Sequence, residues 1–73
     1  MRTTFDAEAD AAYITLVPQD KPGRSVRNVE VESSAGSVVL DFDAAGVLLG
    51  VEVLGATKTL DPAFLDTAAR IDE

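Results

Sequence analysis

Polar and apolar residues alternate through most of this chain, and the longest such run is SVVLDFDAAGVLLGVEV, residues 37–53. Val38, Leu40 and Phe42 alternate with Val39, Asp41 and Asp43, and Val47, Leu49, Val51 and Val53 alternate with Leu48, Gly50 and Glu52. Alternation interrupted by a Gly-containing turn predicts a β-hairpin. Asp43-Ala44-Ala45-Gly46 suits a type I turn closed by Gly46, which takes positive φ without a Cβ clash. With Asp43 facing Gly46, the register sets Phe42 against Val47, Leu40 against Leu49 and Val38 against Val51. A one-residue slip would scatter that apolar face.

The same pattern predicts further strands on the N-terminal side. Residues 1–5 (MRTTF) lean to strand, residues 6–10 (DAEAD) to a polar turn, and residues 12–17 (AYITLV) to a second strand paired with the first. Residues 18–25, with Pro18 and the Pro22-Gly23 pair, form a loop. Residues 26–32 (VRNVEVE) make a third strand, closed into the hairpin by residues 33–36. After Val53 the period changes. Asp61 followed by Pro62 is a helix start, with Asp61 as N-cap, and Leu60 and Leu65 are placed as a hydrophobic staple. Phe64, Leu65, Ala68 and Ile71 then give a narrow apolar stripe. The fold expected is α+β: an antiparallel β-meander of four to five strands over residues 1–57, with one C-terminal helix over residues 58–73 packed on the Leu40/Leu49/Val51 face. All 73 residues are read as one domain.

Thirteen acidic residues against six basic give a formal charge of −7, with neither His nor Cys. Such a surface repels phosphate backbones, so nucleic acid is not expected as a partner. The commonest general base and most transition-metal ligands are missing, and no cofactor is expected. No run is long and apolar enough to span a membrane, and the N-terminus lacks the basic and apolar regions of a signal peptide, which points to the cytoplasm. A core this small supplies about 3–5 kcal/mol, and without cysteines the common remaining source of stability is oligomerisation.

The residues FDAEADAAYI (5–14), VLDFD (39–43) through Gly46, and GVEVL (50–54) with Ala56-Thr57 resemble the YuzE-like bacterial domain of unknown function. The likeness covers most of residues 5–57, in order, and carries little of the C-terminal segment. It implies a compact antiparallel sheet with a helix, no assigned activity and no cofactor. Some members resemble neighbours of small toxin-like genes, which implies an antitoxin-type role by analogy.

Two groups of carboxylates are candidate chemistry. Asp6, Glu8 and Asp10 resemble the start of a calcium loop, but the sixth and twelfth positions hold Ala11 and Val17 where an EF-hand needs Gly and Glu. Asp6 and Asp10 are better read as acceptors for backbone amides that shape the turn. Asp41 and Glu52 share the second face of the hairpin with Val39, Leu48 and Leu54, and Tyr13 points the same way. In the register above Asp41 faces Leu48 and Glu52 faces Ser37, so no acid–base dyad forms. This face is read as a contact surface for a second copy or another protein, with the acids pairing the partner's Arg24 and Arg27; Lys21 completes that basic patch. The expected function is therefore a protein-interaction module, self-associating as a homodimer or antitoxin-like, rather than an enzyme. The alternative is a carboxylate-based metal or hydrolytic site using Asp6, Glu8, Asp10, Asp41 and Glu52.

Overall fold

The computed structural model describes residues 2–18 and 23–71. Strands β1 (Arg2–Asp6), β2 (Ala11–Thr15), β3 (Arg27–Ser33), β4 (Gly36–Phe42) and β5 (Leu48–Leu54) precede two single-turn helices, α1 (Ala56–Thr59) and α2 (Pro62–Leu65), and a short strand β6 (Ala69–Arg70). They form one mixed sheet in the order β3-β4-β5-β2-β1-β6. The fold is thus small and mostly β. The expected meander holds for β1–β2 and for β3–β4–β5, but β5 rather than β3 lies beside β2, so the two units join edge to edge through β5 and β2.

The central hairpin forms with a register different from the one predicted. Leu40 pairs with Val51 and Val38 with Val53, two residues further along β5 than expected, and the ladder shifts between Asp41 and Phe42. The turn itself is as predicted: the Gly46 amide donates to the Asp43 carbonyl at 3.0 Å, and Gly46 has φ +86°. One residue of the difference arises at the turn, where the Asp43 amide donates to the Val47 carbonyl and Phe42 faces Leu48. A one-residue β-bulge between Asp41 and Phe42 adds the other, and neither shift is visible to a pattern of alternation. The net slip for the long run of the ladder is even, so the apolar residues keep their common face. Directly paired residues share a face. The inner face therefore carries Phe5, Ala12, Ile14, Val51, Val53, Leu40, Val38, Val29 and Val31. The outer face carries Thr4, Tyr13, Thr15, Gly50, Glu52, Val39, Asp41, Asn28 and Glu30.

The C-terminal segment departs furthest from expectation. Asp61 caps α2 as predicted, its carboxylate accepting the Ala63 amide at 2.8 Å with Pro62 in the first turn. The helix ends after four residues rather than running toward the C-terminus. The Thr67 hydroxyl donates to the Phe64 carbonyl and the Ala68 amide to the Leu65 carbonyl, which closes a tight final turn. Residues 69–71 then lie along β1 as a parallel strand, with Thr4 opposite Ala69 and the Ile71 amide donating to the Phe5 carbonyl at 3.1 Å. A helix of about ten residues is marginal alone, and pairing with an open strand edge outcompetes it here. The all-antiparallel sheet and the single helix are corrected on this account.

The core follows from that geometry. Phe5, Ala12, Val53 and Ala56 are buried together, and Val51, Leu60, Leu65 and Ala68 pack against them. Leu60 and Leu65, expected as a staple, thus both reach the core. The covered ground is the β1–β2–β5 half of the inner face: of the expected Leu40/Leu49/Val51 patch, Val51 packs against this core and Leu49 is buried, while Leu40 on β4 is only partly buried. Asp10 anchors the cover. Its backbone carbonyl accepts the Gly55 and Ala56 amides, and its carboxylate accepts the Thr57 amide at 2.9 Å and the Thr57 hydroxyl at 3.0 Å. Gly55, at φ +78°, makes the reversal into α1, and a side chain there would also collide with the Ala35 carbonyl.

Candidate functional site

The outer face of β2, β4 and β5 holds a polar network built from cross-strand neighbours. Tyr13 on β2 reaches over β5 and donates its hydroxyl to Asp41 on β4 at 2.9 Å. It can do so because residue 50, between them, is glycine: a Cβ at that position would overlap the Tyr13 ring and hydroxyl. On the other side Asn28, directly opposite Asp41 on β3, donates its side-chain amide to the second carboxylate oxygen. One carboxylate thus ties three strands. Asp41 faces Gly50, not Leu48, and Glu52 faces Val39 and Tyr13, not Ser37. The turn, which sets Phe42 against Leu48, and the one-residue bulge between Asp41 and Phe42 together cause this two-residue shift.

Of the residues expected to act together, Tyr13 and Asp41 bond, and Val39 and Glu52 are cross-strand neighbours. Leu54 pairs with Ser37 at the opposite end of the hairpin from Leu48, which pairs with Phe42 at the bulge. Glu52 and Tyr13, with Thr4, Asp6, Ala11 and Ile71, line a shallow, open concavity beside β1. The two arginines expected to meet a partner's acids are used within the chain. Arg24 bonds Asp43 at 3.3 Å, and the Arg27 guanidinium lies 5.7 Å from the centre of the Phe42 ring. Lys21 lies outside the described residues.

The acidic turn behaves as a structural device. Asp6 accepts the Glu8 and Ala9 amides at 3.0 and 3.2 Å, as expected of an Asx turn. Asp10 binds Thr57, far along the chain, rather than its own turn. Asp43 accepts the Ala45 and Val47 amides, both at 2.9 Å. The Val47 amide, then the Ala45 amide and Arg24, hold the Asp43 carboxyl below its ordinary value, against an opposing desolvation. Among the described residues no three carboxylates gather closely enough to hold a metal ion. Each of these aspartates already has hydrogen-bond donors, so as the chain folds they read as ties between segments.

The apolar side of the same strands is less complete. Val29 and Val31 on β3 pair with Leu40 and Val38 on β4, and all four lie on the inner face. The C-terminal segment stops short of them. Val31 remains 51% exposed, and Val29, Val38 and Leu40 are only partly buried. No carboxylate shares this face of β3 and β4, because the acids of the two strands, Glu30, Glu32 and Asp41, all alternate to the outer side. Sequence alternation marks these four residues as one face. It does not show which part of the face the C-terminus leaves open.

A family model described as a protein of unknown function, DUF2283, matches residues 2–56. The chain belongs to that family. The match ends at the first residue of α1, so it takes in the five long strands and the Tyr13–Asp41–Asn28 network but not α2 or β6. No curated protein and no solved structure matches the chain. No helix among the described residues is long and apolar enough to cross a membrane.

Proposed function

We propose that this domain is a protein-interaction module that pairs with a second copy of itself through the inner face of β3 and β4. One observation carries this reading: a chain of formal charge −7 keeps every carboxylate of those two strands off a partly exposed Val/Leu strip. Contiguous apolar surface on a small domain marks a contact site. With the acids on the outer side, two copies can stack these faces at the usual sheet-to-sheet spacing without setting like charges against each other. Such stacking also supplies burial that the five apolar residues buried among the described ones do not provide alone. The contact face is therefore the one opposite Val39 and Leu54, while Leu48 pairs with Phe42 at the bulge. The YuzE-like motifs support placing the chain within that part of its family.

Sedimentation at micromolar concentration tests the reading, with a dimer expected. Val31→Glu, at an already exposed position, should give a species near 7.7 kDa, while Val39→Glu on the outer face should leave the dimer intact. A parent chain that sediments as a monomer, or a dimer split by Val39→Glu and not by Val31→Glu, would refute it.

A further inference from the structure

Strand β3 ends the sheet among the described residues, so alternate N–H and C=O groups along Arg27–Ser33 have no neighbouring strand on that side. Its side chains divide cleanly. Val29 and Val31 point to the inner face, and Glu30 and Glu32, both exposed, point to the outer face. We propose that this edge receives an extended segment of another protein, alternating cationic and apolar residues, as a seventh strand.

The charge pattern selects that occupant over a second copy of the same chain. An antiparallel pairing of two β3 edges centred on Glu30 sets Glu30 against its own counterpart, and one centred on Val31 sets Glu30 against the counterpart of Glu32. Like charges directly opposed weaken a strand pair, and Glu30 and Glu32 have no ion-pair partner among the described residues to offset it. A Lys or Arg on every second residue of an incoming strand would instead face Glu30 and Glu32. The residues between would continue the Val29/Val31 strip. Backbone hydrogen bonds supply affinity in such strand addition, and the alternating side chains supply selectivity. Strand addition uses the edge of β3, whereas self-association uses its face, so each can fail without the other.

The probe is a fluorescein-labelled peptide of about ten residues, long enough for one strand, alternating Lys and Val. It is titrated with the full chain at low ionic strength. A control of the same composition, with its lysines and valines in separate blocks, carries equal charge without the pattern. The alternating peptide should bind at least about tenfold more tightly than the control, a difference that register-matched charge pairs can supply. It should also slow hydrogen exchange at the β3 amides. In the Glu30→Lys/Glu32→Lys variant, affinity for that peptide should fall by about tenfold or more, and a Glu/Val alternating peptide should become the better ligand. Both positions are exposed, and an unchanged circular dichroism spectrum and sedimentation profile would confirm that fold and assembly survive. Equal binding of the alternating and block peptides, absence of binding, or protection elsewhere than β3 would overturn the proposal.

Discussion

Gly50→Ala is the sharpest test of how the outer face is built. In an ordinary strand this change stabilises by about 0.5–1 kcal/mol, because glycine loses more conformational freedom on folding. Here the new Cβ would occupy the place of the Tyr13 ring and hydroxyl. Tyr13 must swing away, and its bond to the Asp41 carboxylate is lost. A hydrogen bond to a charged group contributes about 1.5–3 kcal/mol, and forcing a ring from its rotamer costs about 0.5–1.5 kcal/mol. Partial exposure of the site pulls both toward their lower ends, so a net loss of about 1–3 kcal/mol is expected. For a domain of this size each kcal/mol lowers Tm by about 4–8 °C. Thermal melts at fixed protein concentration measure it, since self-association would otherwise shift the midpoint. In a Tyr13→Val background the clash disappears, and Gly50→Ala should become neutral or stabilising, a coupling of at least about 1 kcal/mol. A Gly50→Ala chain as stable as the parent, or a penalty that persists without Tyr13, would refute the packing of Tyr13 over Gly50 as the cause.

Three further perturbations address other parts of the fold. Asp10→Ala removes the acceptor that holds the Thr57 amide and hydroxyl and should cost about 1–2 kcal/mol, most of it restored by Asn, with faster exchange of the Thr57 amide as the local readout. Val53→Ala, at a position 2% exposed, should cost about 2–3 kcal/mol at any protein concentration; Leu40→Ala, only partly buried within one chain, should show a penalty that grows with concentration. The Asp43 carboxyl titrates below its ordinary value in the folded chain, so its contribution is complete above the usual carboxylate range and is lost as pH falls through the lowered value. Asp43→Asn should flatten the acid limb of stability below about pH 4, and Arg24→Gln should flatten it less, because the Val47 amide contributes most; equal effects in acid melting curves would contradict that order.

Alternation alone determined much of this protein. The five long strands, the Asp6 turn, the Asp43–Gly46 turn, the Asp61 cap and the face shared by Val38, Leu40, Val51 and Val53 all follow from local preference and the two-residue period of a strand. The Asn28–Asp41 contact was also within reach, since the two-residue turn at Ser34-Ala35 fixes the register that sets them opposite. What tertiary structure decided were choices between alternatives of nearly equal local merit. The turn and the bulge between Asp41 and Phe42 each add one residue, which keeps the apolar faces matched while moving Glu52 from Ser37 to Val39. Insertion of β5 beside β2 creates the ground on which Tyr13 crosses Gly50 to Asp41. Ala69 and Arg70 leave a marginal helix because the β1 edge offers them backbone partners that no helical pattern can anticipate. Their path then sets where the cover over the core stops, and so which valines of β3 remain open to a partner. Strand periodicity acts over a few residues and is written locally, whereas competition for an edge depends on every segment that could reach it.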